Sequence, residues 1–109
     1  MTVVYQRFAA LRPANTDEAT LHPITTGELV GAVTICNQDS VSRTYRVAQT
    51  DAATGSAASG EDWLAYDTPI EPYITHTVKI YGMTGTATIR VKASVADKLS
   101  FVLSGMLVT

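Results

Sequence analysis

A reactive site needs a nucleophile, a base or a metal-binding set supported by its neighbours, and few side chains of this 109-residue protein could supply one. It has a single cysteine, Cys36, and two histidines, His22 and His76. Neither histidine has a cysteine, an aspartate or a second histidine nearby at ligand spacing, so the sequence points to no metal site. Cys36, His76 and Asp67 have the types of a nucleophile, its base and an orienting carboxylate. Such groups meet in space rather than along the chain, so an enzyme would require Cys36 and a histidine in mutual contact. Between Ile35 and Asn37, Cys36 reads instead as a small buried hydrophobe. The carboxylate pairs Asp17/Glu18 and Glu61/Asp62 precede strands at loop ends. Neighbours in a strand point to opposite faces, so neither pair converges on a substrate, and solvation accounts for both. Gly55, Gly60, Gly82 and Gly85 open no helix and therefore build no phosphate cradle. The expectation is no catalytic residue, no metal and no cofactor: not an enzyme.

The aromatic residues offer a different chemistry. Trp63 and Tyr66 follow a small polar stretch, with Tyr73 and Tyr81 nearby in sequence, and could together stack against a sugar ring. The plainer reading has Trp63 plugging one end of the core and the tyrosines lying across a sheet edge. Arg43, Arg46, Arg90 and Lys92 read as solvent-facing.

The elements that position these groups follow from length and patterning. One hundred and nine residues make one domain, large enough for a core without disulfide or metal. A formal net charge of -2 provides no basic field for phosphates, so nucleic acid is not an expected partner. The lone cysteine fits assembly in a reducing cytoplasm. The start lacks a basic segment followed by a long apolar one, so no signal peptide is expected. No apolar run approaches the roughly 18 residues of a membrane-spanning helix, and no membrane partner is expected.

Strand signals dominate. In residues 86–109, Ile89/Val91/Ala93 alternate with Thr88/Arg90/Lys92/Ser94, and Leu99/Phe101/Leu103 with Ser100/Ser104, around a polar break at 96–98. This period of two predicts a half-buried antiparallel hairpin. Residues 20–24 read as a short strand that Pro23 restricts to an edge. Residues 28–37, ELVGAVTICN, read as a strand covered on both faces, making a second hairpin with 43–48. Residues 51–60, DAATGSAASG, read as a flexible loop, 63–66 as a strand, 73–81 as another, and 82–85 as a turn. The sum is an all-β fold of about seven to eight strands. An antiparallel β-sandwich, jelly-roll or Ig-like, fits best and a small barrel second. Before the breaker at 12–17 stands an apolar segment that sets residues 1–18 apart as an N-terminal arm from the domain at 19–109. It is either an extra strand on the domain's own core or an arm reaching a neighbouring copy. In the second case Val3, Val4, Tyr5, Phe8 and Leu11 make the intersubunit contact.

The order of words at residues 20–24, 33–37, 45–48, 65–70 and 89–94, closing on Leu99-Ser100-Phe101 and Gly105, resembles small virion structural proteins of tailed bacteriophages. The resemblance covers residues 20–109. It implies a non-enzymatic, multi-copy β-sandwich that binds other virion proteins, the major capsid protein first among them, and copies of itself. The corresponding role is capsid decoration (cement), with a neck, tail or baseplate accessory as the alternative and the virion as the location, after assembly in the host cytoplasm. The turn YGMTG at 81–85 is tighter than the family pattern, so the family's partner-binding loops are not carried over. A host-surface carbohydrate-binding module built on Trp63 and Tyr66 is the reading from another class.

Overall fold

The structure, a computed structural model, describes residues 1–24, 27–50, 58, 60–84 and 87–109, with backbone alone at 24 and 81–84. These residues form eight strands and no helix: β1 Val3–Leu11, β2 Ala19–Ile24, β3 Glu28–Asn37, β4 Arg43–Thr50, β5 Trp63–Ile70, β6 Thr75–Thr84, β7 Ala87–Ala93 and β8 Leu99–Val108. They make two four-stranded antiparallel sheets, ordered β1-β8-β3-β6 and β2-β7-β4-β5. The all-β class agrees with the alternating sequence. With no helix among the described residues, none is long and apolar enough to cross a membrane.

Alternation creates the core. On β8, Leu99, Phe101 and Leu103 are fully buried while Ser100 and Val102 between them are half-buried. On β7, Ile89, Val91 and Ala93 are equally buried. The inner faces of both sheets meet in one cluster that also contains Leu29, Val33, Ile35, Val47, Ile70 and Ile80. Each such side chain contributes about 1.5–3 kcal/mol on burial, against at most about 1 kcal/mol for an exposed ion pair, so the aliphatic cluster dominates stability. Tyr45 on β4 and His76 on β6 join the sheets through an Oη···Nδ1 hydrogen bond of 3.0 Å. Burial pushes the Tyr45 phenol up from its ordinary pKa.

Both expected hairpins are absent. β3 and β4 lie in different sheets, and so do β7 and β8. The ten residues of β3 instead pair in unbroken register with β8, Glu28 opposite Val108 through to Asn37 opposite Leu99. A period of two buries one face but does not choose the neighbouring strand. Asn37, fully buried, holds the β3–β4 crossing. Its Nδ2 donates to the carbonyls of Val41, Ile70 and Glu71 at 3.0–3.2 Å, and its Oδ1 accepts from the Asp39 N–H. The connection is thereby tied to the turn after β5.

Other boundaries also moved. The turn expected from residue 82 is still strand, since β6 pairs as far as Thr84, opposite Glu28. The loop expected at 51–60 falls outside the described residues except at 58 and 60, as do residues 25–26 and 85–86. Within the segment set apart as an arm, Val3–Leu11 is a strand on the protein's own first sheet, paired with β8.

Candidate functional site

The outer face of the second sheet brings two arginines, two carboxylates and two aromatic rings together. Its geometry begins with a bulge. β4 and β5 pair Tyr45 with Thr68 and Val47 with Ala65, so Arg46 alone stands opposite both Tyr66 and Asp67. Asp67 takes the extra residue's left-handed conformation, φ 45°. A second shift, between Val47 and Ala48, pairs Ala48 with Trp63 and brings the indole onto the same outer face. Trp63 therefore does not plug the core, where Phe101 is the largest buried side chain.

Arg46 organises the group. Its Nε and Nη2 donate to Asp67 Oδ1 and Oδ2 at 2.6 and 3.0 Å, a two-pronged ion pair. Its guanidinium carbon lies 3.9 Å from the centre of the Tyr66 ring and 5.5 Å from that of Trp63. The two rings meet edge to face, 5.5 Å apart at 74°. Hydrogen bonding to Arg46 holds the Asp67 carboxyl below the usual carboxylate range, and Asp67 in turn raises the guanidinium. The carboxylate stays ionised, so it is unsuited to act as a general acid.

A second ion pair lies deeper on the same face. Arg90 on β7 is only 7% exposed, and its Nε donates to Glu18 while Nη1 donates to Thr20 Oγ1 at 2.8 Å. Glu18 also accepts from the Ala58 N–H at 3.0 Å. Arg90 thus departs from its expected solvent-facing place, and Glu18 from a merely solvated one. Glu18, Arg46, Ala58, Gly60, Trp63 and Tyr66 line an open cleft of about 690 Å³, within the roughly 300–1,000 Å³ range of small-molecule sites. The cleft offers aromatic edges, a fixed planar cation and carboxylate oxygens. That combination suits a polar ligand with an apolar face, such as a sugar. One face of Tyr66 is already covered by Arg46, and the steep angle between the rings prevents a single flat platform.

The remaining expected residues are dispersed. Ile35 is opposite His76 and Cys36 opposite Thr75, so Cys36 and His76 point to opposite faces of the first sheet. The fold does not bring them together. Cys36 is half-buried on the outer face, not the fully buried hydrophobe expected. His22 packs against Phe8, ring centres 5.8 Å apart, and burial lowers its pKa. Of the arm residues, Val3, Val4 and Tyr5 are exposed, whereas Phe8 and Leu11 pack against the core. Among the described residues no group of three or more His, Cys, Asp or Glu could hold a metal ion. Nothing in the sequence pairs Arg46 with Asp67 or Glu18 with Arg90, because only the bulge and the β2–β7 pairing make them neighbours.

Comparison with protein-family models, curated proteins and solved structures found no match.

Proposed function

We propose that this chain is a virion structural protein of a tailed bacteriophage, a jelly-roll sandwich acting as a capsid decoration (cement) protein. It works by surface, without catalysis, binding capsid protein and neighbouring copies. The observation that carries the reading is the strand order, β1-β8-β3-β6 against β2-β7-β4-β5. Most successive strands alternate between the sheets, as in a doubled Greek key, the architecture of viral capsid and lectin domains. An Ig-like sandwich would instead keep its first two strands in one sheet. The resemblance of residues 20–109 to small phage virion proteins supports the same reading, and the exposed apolar stretch at Val3, Val4 and Tyr5 supports surface binding.

The test is proteomic and then structural. Purified virions of the phage or prophage encoding the chain should contain it in many copies. Its absence from them would end the proposal. Cryo-electron microscopy density for it over the shell supports the cement role, and density at the neck, tail or baseplate supports the accessory role instead.

The Arg46–Trp63–Tyr66 cleft favours a second reading, a carbohydrate-binding module. A glycan array without binding, or binding that survives both Trp63→Ala and Tyr66→Ala, counts against it.

A further inference from the structure

The open edge of the first sheet has a definite hydrogen-bond polarity. Thr2 N–H donates to the Thr109 carbonyl and Thr109 N–H to the Thr2 carbonyl, both at 2.8 Å. Bonded pairs alternate with non-bonded ones along an antiparallel ladder, so Val4–Leu107 and Gln6–Gly105 are the next bonded pairs. Val3, Tyr5 and Arg7 therefore direct their N–H and C=O groups away from β8. Among the described residues no strand takes them up, since β1 ends its sheet.

Three of the four sheet edges are blunted against further pairing. β2 carries Pro23 and a register shift between Thr20 and His22. β5 carries Pro69 and two register shifts. β6 presents the exposed Lys79. Proline, irregular register and lysine are the usual protections of an edge. The stretch Val3–Arg7 has none of them, because the shift in β1 comes only after Arg7. Its first three residues are apolar and exposed, Tyr5 77%, Val3 41% and Val4 38%, and Arg7 is its one charge.

We propose that the β1 edge pairs with the β1 edge of a second copy of this chain, antiparallel about a two-fold axis at Tyr5. Tyr5 then faces Tyr5 of the second copy, and Val3 faces Arg7 in both directions. Each of these pairs exchanges both of its N–H···O bonds, because all three residues have their backbone groups turned outward. The length of regular strand selects this register: within Val3–Arg7 it makes three bonded pairs, whereas centring the axis on Val4 or Gln6 makes two. Centring the axis on Arg7 sets two like charges directly opposite and drives the pairing through the bulge, whereas centring it on Val3 leaves little strand to pair. With Tyr5 at the centre the two arginines are about four residues apart, roughly 13 Å and beyond a physiological Debye length. The contact is isologous, so it closes at two copies. It depends only on the geometry of β1 and holds whether or not the protein belongs to a virion.

Sedimentation velocity of the full chain, over a series from about 1 μM to about 1 mM, should show a monomer–dimer equilibrium. Tyr5→Lys removes the aromatic pair and places two ammonium groups opposite each other, which should weaken the dimer about tenfold or more. Its urea midpoint, measured where both proteins are monomeric, should not change, because the side chain is exposed. Tyr5→Cys in a Cys36→Ser background should form a disulfide-linked dimer on oxidation, since opposed residues of a bonded pair lie about 5.5 Å apart, within disulfide reach. Gln38→Cys in the same background should not. A chain that stays monomeric throughout the series overturns the proposal. So does a dimer that neither weakens with Tyr5→Lys nor cross-links through Tyr5→Cys, or a mass that keeps growing past two copies.

Discussion

Gly31 on β3 and Gly105 on β8 face each other across the middle of the first sheet, so close that neither position has room for a side chain. A Cβ on Gly105 would lie 2.5 Å from the Gly31 Cα, and one on Gly31 would press into the Ser104 carbonyl oxygen. The atoms in the way are backbone, which cannot swing aside as a side-chain tip would. This contact also lies where β3 shifts register against β6, between Leu29 and Gly31. Gly31→Ala should therefore force β3 and β8 apart and cost about 2–3 kcal/mol, read as a lower urea midpoint with unchanged slope.

Asn37 should be among the most sensitive polar residues. Its amide serves three carbonyls and its oxygen the Asp39 N–H, all linking two turns at one end of the fold. Asn37→Ala leaves these groups short of partners in a buried place and should cost about 3 kcal/mol. Amide hydrogen exchange should show the first loss of protection at the 38–42 and 71–74 turns.

The two arginine pairs on the second sheet should behave differently. Glu18→Gln leaves the buried Arg90 without its counter-charge and should cost about 3 kcal/mol in urea denaturation. Asp67→Asn breaks a pair whose carboxylate is 53% exposed, and stability should hardly change. Its effect should appear instead in the quenching of Trp63 fluorescence, because Arg46 is no longer held over the rings.

Stability should fall with acid in two separate windows. Burial lowers the His22 pKa, so the unfolded chain binds the proton more readily than the folded one. The His22 contribution is complete above the ordinary 6.5 and is lost as the pH falls from there through the folded value. Asp39 and Asp67 are also lowered, by Arg43 and Arg46, and their contribution is lost below the ordinary 3.8 as the pH falls through their folded values. Urea midpoints measured against pH should show both falls. His22→Gln should remove the upper one, and Asp39→Asn should shrink the lower.

The buried faces were legible because each residue reports its own environment. Ile89, Val91 and Ala93 in one alternating run and Leu99, Phe101 and Leu103 in another are all fully buried. Trp63 was not legible in this way. Its place on the outer face depends on register shifts opposite Val47 and Ala48, and a bulge leaves no mark in the alternation itself. Arg90 occupies an outward position in the pattern, yet it is buried because Glu18 and Thr20, about seventy residues away, close over it.

Residues 86–109 separate what the chain order determines from what it does not. Their alternation follows from side chains that must be either wet or dry, a local requirement that any strand pairing satisfies. It therefore determined two strands, their inner faces and the all-β class. Whether those strands pair with each other is decided by competition among all strands for edges, and there the ten-residue register of β3 with β8 prevails over a local turn. That non-local choice sends β7 and β8 to opposite sheets, brings Arg46 to Tyr66 and Asp67 through a bulge, and leaves the outward backbone groups of β1 at an open edge.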